Sequence, residues 1–109
     1  LSDPRLYWIG FNLVKGIGAV RFRALLEAFG SAEQAWQAPT DDLMASGLGA
    51  KVVQNLLQAR KQVDLQQVWD SIQAQGITVL TWEDEAYPRR LREIDQPPPV
   101  LYLRGELTV

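Results

Sequence analysis

The chain has no cysteine and no histidine among its 109 residues. That removes thiolate nucleophiles, disulfides, Cys/His zinc sites and the usual general base near neutral pH. Only carboxylates remain as acids or metal ligands, so the chain reads as a non-enzyme with no metal and no cofactor. Long apolar runs are missing as well, and the start LSDPRLYWIG lacks the charged and apolar regions of a signal peptide. No membrane span is expected, and a cytoplasmic setting fits. A surplus of positive charge is also lacking: the formal net charge is −2 and the isoelectric point is about 5.0. Any nucleic-acid contact must therefore come from local geometry and not from a field over the whole domain.

What is present is enough apolar residue, 47%, for a packed core. Periodicity predicts a first helix over 5–13, preceded by a capping Asp3 and by Pro4. A second should end at Gly30, with Val20, Leu25, Ala28 and Phe29 on its buried face and Arg21, Arg23 and Glu27 off it. Ser31 and Gln34 have capping-box spacing ahead of a short helix carrying Ala35 and Trp36. After Pro39, Thr40 or Asp41 caps another short helix with Leu43 and Met44. From Ala50, Val52 or Val53, Leu56, Leu57 and Arg60 fall at helical spacing. Helix continues through Leu65, Val68, Trp69 and Ile72 after a bend near Gln62 to Asp64.

At Gly76 the texture changes. Ile77 to Thr81 is a buried strand candidate, and VLYLRG, approached through Pro97, Pro98 and Pro99, is a second. Two strands make no stable independent sheet. This end therefore reads as the opening of a larger α/β domain, in a chain that begins at Leu1 and looks like a piece of a longer protein.

Two glycine pairs stand out, in KGIGAVRFRALLEAF and SGLGAKVVQNLLQAR, offset by 31 positions. Glycine tolerates positive φ and close backbone approach, which a tight helix-to-helix turn needs. Ile17 and Leu48 can turn inward to pin each turn. The unpartnered amides that open the following helix can then receive a phosphate without reading base sequence. Alternatively, each pair is only a structural or protein-contacting turn. The pattern resembles the helix-hairpin-helix motif. That resemblance implies phosphate contacts at Gly16, Gly18, Gly47 and Gly49, with Lys15, Arg21, Arg23 and Lys51 as adjacent charges.

Of the four tryptophans, Trp8, Trp36 and Trp69 read as core and Trp82 as a surface candidate for base stacking. Arg60 with Lys61, and Arg89, Arg90 and Arg92, read as solvated faces. The carboxylates of WEDEAY read as solvated too. Tyr87 should anchor its loop, Pro88 open a short helix, and Leu91 and Ile94 pack inward. Neither G-x-G-x-x-G nor a P-loop motif is present, so nucleotide chemistry has no support.

The segment GITVLTWEDEAYPRRLREIDQPPPVLYLRGEL resembles the DNA-processing protein A (DprA/Smf) family through Tyr87, Pro88, Leu91, Ile94, Pro98, Pro99, Val100, Leu101, Tyr102 and Gly105. The resemblance implies a mainly α chain: a helical domain of helix-hairpin-helix or sterile-alpha-motif-like type over 1–62, then a linking helix and the first strands of a truncated Rossmann-like α/β domain over 63–109. It implies a parent that binds single-stranded DNA and helps load a RecA-type recombinase in natural transformation, with a homodimer of the full protein as a further partner. This part would be an accessory DNA-contacting or interaction module; the alternative is a protein–protein assembly module without direct DNA binding.

Overall fold

A computed structural model describes residues 3–104; Gly105, one of the family-like positions, lies outside them. The helices follow their local signals closely. In α1 (Arg5–Asn12), Pro4 occupies the cap position and Asp3 Oδ1 accepts the Arg5 amide at 2.9 Å. Helix α2 (Ala19–Phe29) ends at Gly30. Ser31 caps α3 (Ala32–Trp36) by accepting the Gln34 amide at 3.1 Å. Helix α4 (Thr40–Ala45) starts directly after Pro39 and has no side-chain cap, so neither Thr40 nor Asp41 plays that part. The bend after α5 (Ala50–Gln62) falls where expected, because the Asp64 carboxylate accepts the Gln67 amide at 3.1 Å and opens α6 (Leu65–Ala74). Strand β1 (Ile77–Thr81), the one-turn α7 (Arg89–Arg92) and strand β2 (Val100–Arg104) complete the order.

The core is organised by aromatic rings. Phe22 meets Trp8 edge-on at 4.8 Å, Phe11 at 5.3 Å and Trp82 at 5.8 Å between centroids, and Phe11 meets Trp36 at 5.2 Å. Such pairs add about 0.5–1.5 kcal/mol each beyond the area they bury. Here the expected phase of α2 is corrected. Val20 is 64% exposed and Ala28 is exposed, while Phe22 and Leu25 are buried and Leu26 and Phe29 are half-buried. Phe22, Leu25, Leu26 and Phe29 form the wider and heavier apolar stripe, and the larger buried area sets the rotation of the helix.

Trp82 is corrected likewise: it is half-buried against Trp8 and Phe22, and it is no open stacking platform. Trp69 is half-buried under Arg5, whose guanidinium carbon lies 5.0 Å from the ring centroid.

The strands pair antiparallel, with Val79 opposite Tyr102 and Leu80 opposite Leu101. A doubly wound sheet runs parallel, so what the described residues contain is a mainly helical chain with one small antiparallel pair. Val79 and Val100 join the same core as the helices. Three outward polar groups of β1 are occupied: Arg5 donates to the Val79 carbonyl at 2.7 Å, and Asp84 accepts from the Thr81 amide at 2.7 Å while its own amide donates to the Thr81 carbonyl.

In the loop between the strands, Tyr87 is buried and its hydroxyl donates to the Pro98 carbonyl at 2.6 Å. Burial pushes that hydroxyl above its ordinary pKa, with the nearby Trp82 indole and Arg92 opposing the shift. The Trp82 N–H lies near this hydroxyl without the geometry of a hydrogen bond. Arg92 donates to the Trp82 and Asp84 carbonyls, and Arg60 to the Ala38 carbonyl, so these two arginines brace the chain and are not idle surface charges. Leu91 is half-buried, but Ile94 is 49% exposed and does not pack inward.

Phe22→Ala should lower the unfolding free energy by about 3–5 kcal/mol, read from urea denaturation, because three ring contacts are lost at once. The Asp3 carboxyl is held below its usual pKa by its hydrogen bonds and ion pair with Arg5, at 2.8 Å, despite partial desolvation. A folded value below the unfolded one stabilises at neutral pH, and the stabilisation is lost as pH falls through the folded value. The difference in melting temperature between parent and Asp3→Asn should therefore shrink on acidification below about 3.9.

Candidate nucleic-acid interface

In the first hairpin, α1 and α2 are joined through residues 13–18. Ile17 is buried and pins the turn, as the sequence suggested. Gly16 sits at φ +98°, a conformation that favours glycine, and a Cβ there would lie 3.1 Å from Val52 Cγ2, close enough that Val52 would have to shift by a few tenths of an ångström. Gly18 differs: its backbone is extended, at φ −99°, and it is the uncapped residue preceding α2. The second hairpin joins α4 to α5 through 46–49. Leu48 is buried, Gly47 and Gly49 both have φ +89°, and Gly49 precedes α5 without any side-chain cap.

The two hairpins pack reciprocally. The first turn rests on α5: Gly16 meets Val52, and Asn55 donates to the Lys15 carbonyl at 2.9 Å. The second turn borders α2, where Ser46, Gly47 and Leu48 share a groove with Arg21, Ala24 and Leu25. With the 31-residue offset, Val52 and Asn55 are the counterparts of Arg21 and Ala24. Each turn therefore touches the equivalent face of the other hairpin's second helix, and the starts of α2 and α5 are brought to one region of the molecule.

The starts of α2 and α5 combine two features. Neither has a side-chain cap, whereas Ser31 caps α3 and Asp64 caps α6. Neither has an acidic residue in its first turn, whereas α4 has Asp41 and Asp42. The positive ends of both dipoles are left uncompensated. Lys15 and Lys51 are exposed, and their ammonium groups make no hydrogen bond or ion pair among the described residues. Arg21 is exposed but engaged, donating to the Gly16 carbonyl at 2.8 Å across the turn.

Arg23 is not gathered with them. Its guanidinium lies 4.8 Å from the Trp82 ring centroid, on another face of α2. Seven of the eight expected residues thus belong to the paired turns and one does not. Asn55, which holds the turns together with Val52, was not singled out from the sequence, and Val52 was named only as a candidate for the apolar spacing of its helix. An asparagine in the middle of a helix, where its propensity is poor, was the available signal.

No family model matches the chain, and no solved structure matches it. The architecture defines a helical module with two glycine-led hairpins and a terminal strand pair. Protein Smf from Synechocystis sp. is 36% identical to it over 107 residues, covering 97% of this chain and 27% of that protein. The chain belongs to the DprA/Smf family. It spans about a quarter of the length of the curated relative it matches.

Gly16→Ala should destabilise the fold by about 1–2 kcal/mol, since it forces a Cβ into the left-handed region. Gly18→Ser should be neutral or stabilising by a few tenths of a kcal/mol, because serine is a better helix cap there. No atom lies within 4 Å of the Cβ position at Gly18. Urea denaturation of the two variants beside the parent checks both expectations.

Proposed function

We propose that this chain is the accessory phosphate-contacting module of a DprA-like DNA-processing protein. Single-stranded DNA would lie across the paired turns, its phosphates taken by the first-turn amides of α2 and α5. Lys15, Lys51 and Arg21 would surround it, with Gly16, Gly18, Gly47 and Gly49 allowing close approach. The observation that carries this reading is the pairing of two uncapped, acid-free helix starts beside two exposed, unpaired lysines. Each helix-end interaction is worth only about 0.3–1 kcal/mol, so the contact is weak and suits an accessory role.

Family membership extends the proposal to the parent: binding of single-stranded DNA centred on a Rossmann-like region beyond this chain, loading of a RecA-type recombinase during transformation, homodimerisation and a cytoplasmic setting. On this reading the helix-hairpin-helix or sterile-alpha-motif-like unit covers 1–62, and 63–109 leads into the Rossmann-like part. No helix among the described residues is long and apolar enough to cross a membrane. The proposed role is binding, without catalysis or cofactor.

A second reading, a protein-contacting module without DNA, is favoured by the exposed Leu13, Val20 and Met44. Amide NMR titration with a short single-stranded oligonucleotide, at low and then higher salt, separates the two. Under the first reading, Gly16, Gly18, Gly47 and Gly49 shift and log affinity falls with log salt by about 0.7 per phosphate contacted. Lys15→Glu with Lys51→Glu should reduce both the affinity and the slope. Gly18→Ser should weaken DNA binding without loss of stability, because the serine hydroxyl competes for the α2 amides. Silent glycines would remove the phosphate reading in favour of the second.

A further inference from the structure

We propose that the groove between α2 and Asp95 takes an unstacked nucleobase of the bound single strand. The base would lie on the outer face of the Arg23 guanidinium, with Glu27 and Asp95 accepting hydrogen bonds from its exocyclic amine. This rests on the phosphate reading above and adds a chemical preference among bases, which backbone contacts cannot supply.

The platform is already built. Arg23 is held by its inner face, 4.8 Å from the Trp82 ring centroid, and Trp82 is in turn fixed edge-on against Trp8 at 5.6 Å and tilted against Phe22 at 5.8 Å. A guanidinium plane fixed in this way is a surface on which an unstacked base can lie, as on an aromatic ring. Arg23, Glu27 and Asp95 line one groove of about 240 Å³, together with the small or apolar Ala19, Val20 and Ala24. Despite this closeness, Arg23 forms no ion pair with either carboxylate among the described residues, and neither carboxylate has another partner there. The groove therefore offers a flat cation, two unspent acceptors and an apolar margin.

That combination selects its occupant. A bare anion is repelled by Glu27 and Asp95, so the phosphate stays on the α2 amides and only the neutral base enters the groove. An aliphatic side chain would desolvate the carboxylates without offering a donor. A compact cation is attracted by the two carboxylates but leaves the guanidinium face uncovered. A base with an exocyclic amine satisfies all three features: its π face covers the guanidinium, its amine donates to a carboxylate, and its edge meets Val20, which is 64% exposed. Ala19 and Val20 also belong to the first turn of α2. A nucleotide with its phosphate on those amides has its base beside the groove. On this proposal Arg23, whose guanidinium lies over Trp82, serves base stacking in place of the phosphate contact expected of it.

The test measures binding of the 109-residue chain to short homopolymers of deoxycytidine and thymidine by fluorescence anisotropy, across a salt series. The two pyrimidines have similar stacking area, and only cytosine has the amine. The cytidine polymer should bind about three- to tenfold tighter. Glu27→Gln with Asp95→Asn should abolish that preference while leaving the salt slope unchanged. Arg23→Lys retains the charge and loses the plane, and should weaken both polymers by about tenfold. Amide spectra matching the parent would certify the fold of each variant. Salt-dependent binding with no difference between polymers, or Arg23→Lys binding like the parent, overturns the base site and leaves the phosphate reading standing. Absence of salt-dependent binding to either polymer overturns both.

Discussion

The rotation of α2 about its own axis is set by Phe22, whose ring is clasped by Trp8, Phe11 and Trp82. Once that ring is buried, the helix has no freedom left. Arg21 falls over the first turn and reaches the Gly16 carbonyl, Arg23 falls over Trp82, and Val20 is turned out to solvent. Because Trp82 comes from the far end of β1, the same contact fastens the C-terminal strand pair to the helical part. Packing between aromatics thus decides where the charged groups stand, which is why core and surface chemistry cannot be separated in α2.

Much of the architecture was legible because its signals are local. Asp3 with Pro4, Ser31 with Gln34, the break before α6 and the two strand segments are written within a few residues of where they act, and each is found there. The glycine turns were legible for the same reason, together with their inward-facing Ile17 and Leu48. What escaped was everything fixed by distant partners. The phase of α2 depends on rings from α1 and from the loop after β1. The fate of Trp82 depends on Arg23, and Arg60 is turned inward by a carbonyl in the α3–α4 connection. The antiparallel sense of the strand pair follows from the path of the 82–99 connection, which periodicity does not encode.

The candidate site has the same division. Glycines, lysines and spacing identify the turns, but the value of the arrangement lies in their mutual packing. Val52 under Gly16 and Asn55 on the Lys15 carbonyl bind the hairpins into a pair. A single glycine-led hairpin presents one weak helix end; two fixed side by side present two without an added ordering cost, since the core has already oriented them. An acidic chain can thereby contain a small region of positive potential that its net charge gives no hint of.

The side-chain cover along β1 has a bearing on solubility. ITVLTW is uncharged, β-branched and free of proline, the composition from which cross-β stacking grows. An open strand edge in such a segment would template pairing with another chain. The Arg5 side chain on the Val79 carbonyl and the Asp84 carboxylate on the Thr81 amide occupy that edge with charged groups, and the Asp84 backbone amide takes the Thr81 carbonyl. Two residues far apart in sequence but close in the fold thus shield this stretch from pairing with its own copies.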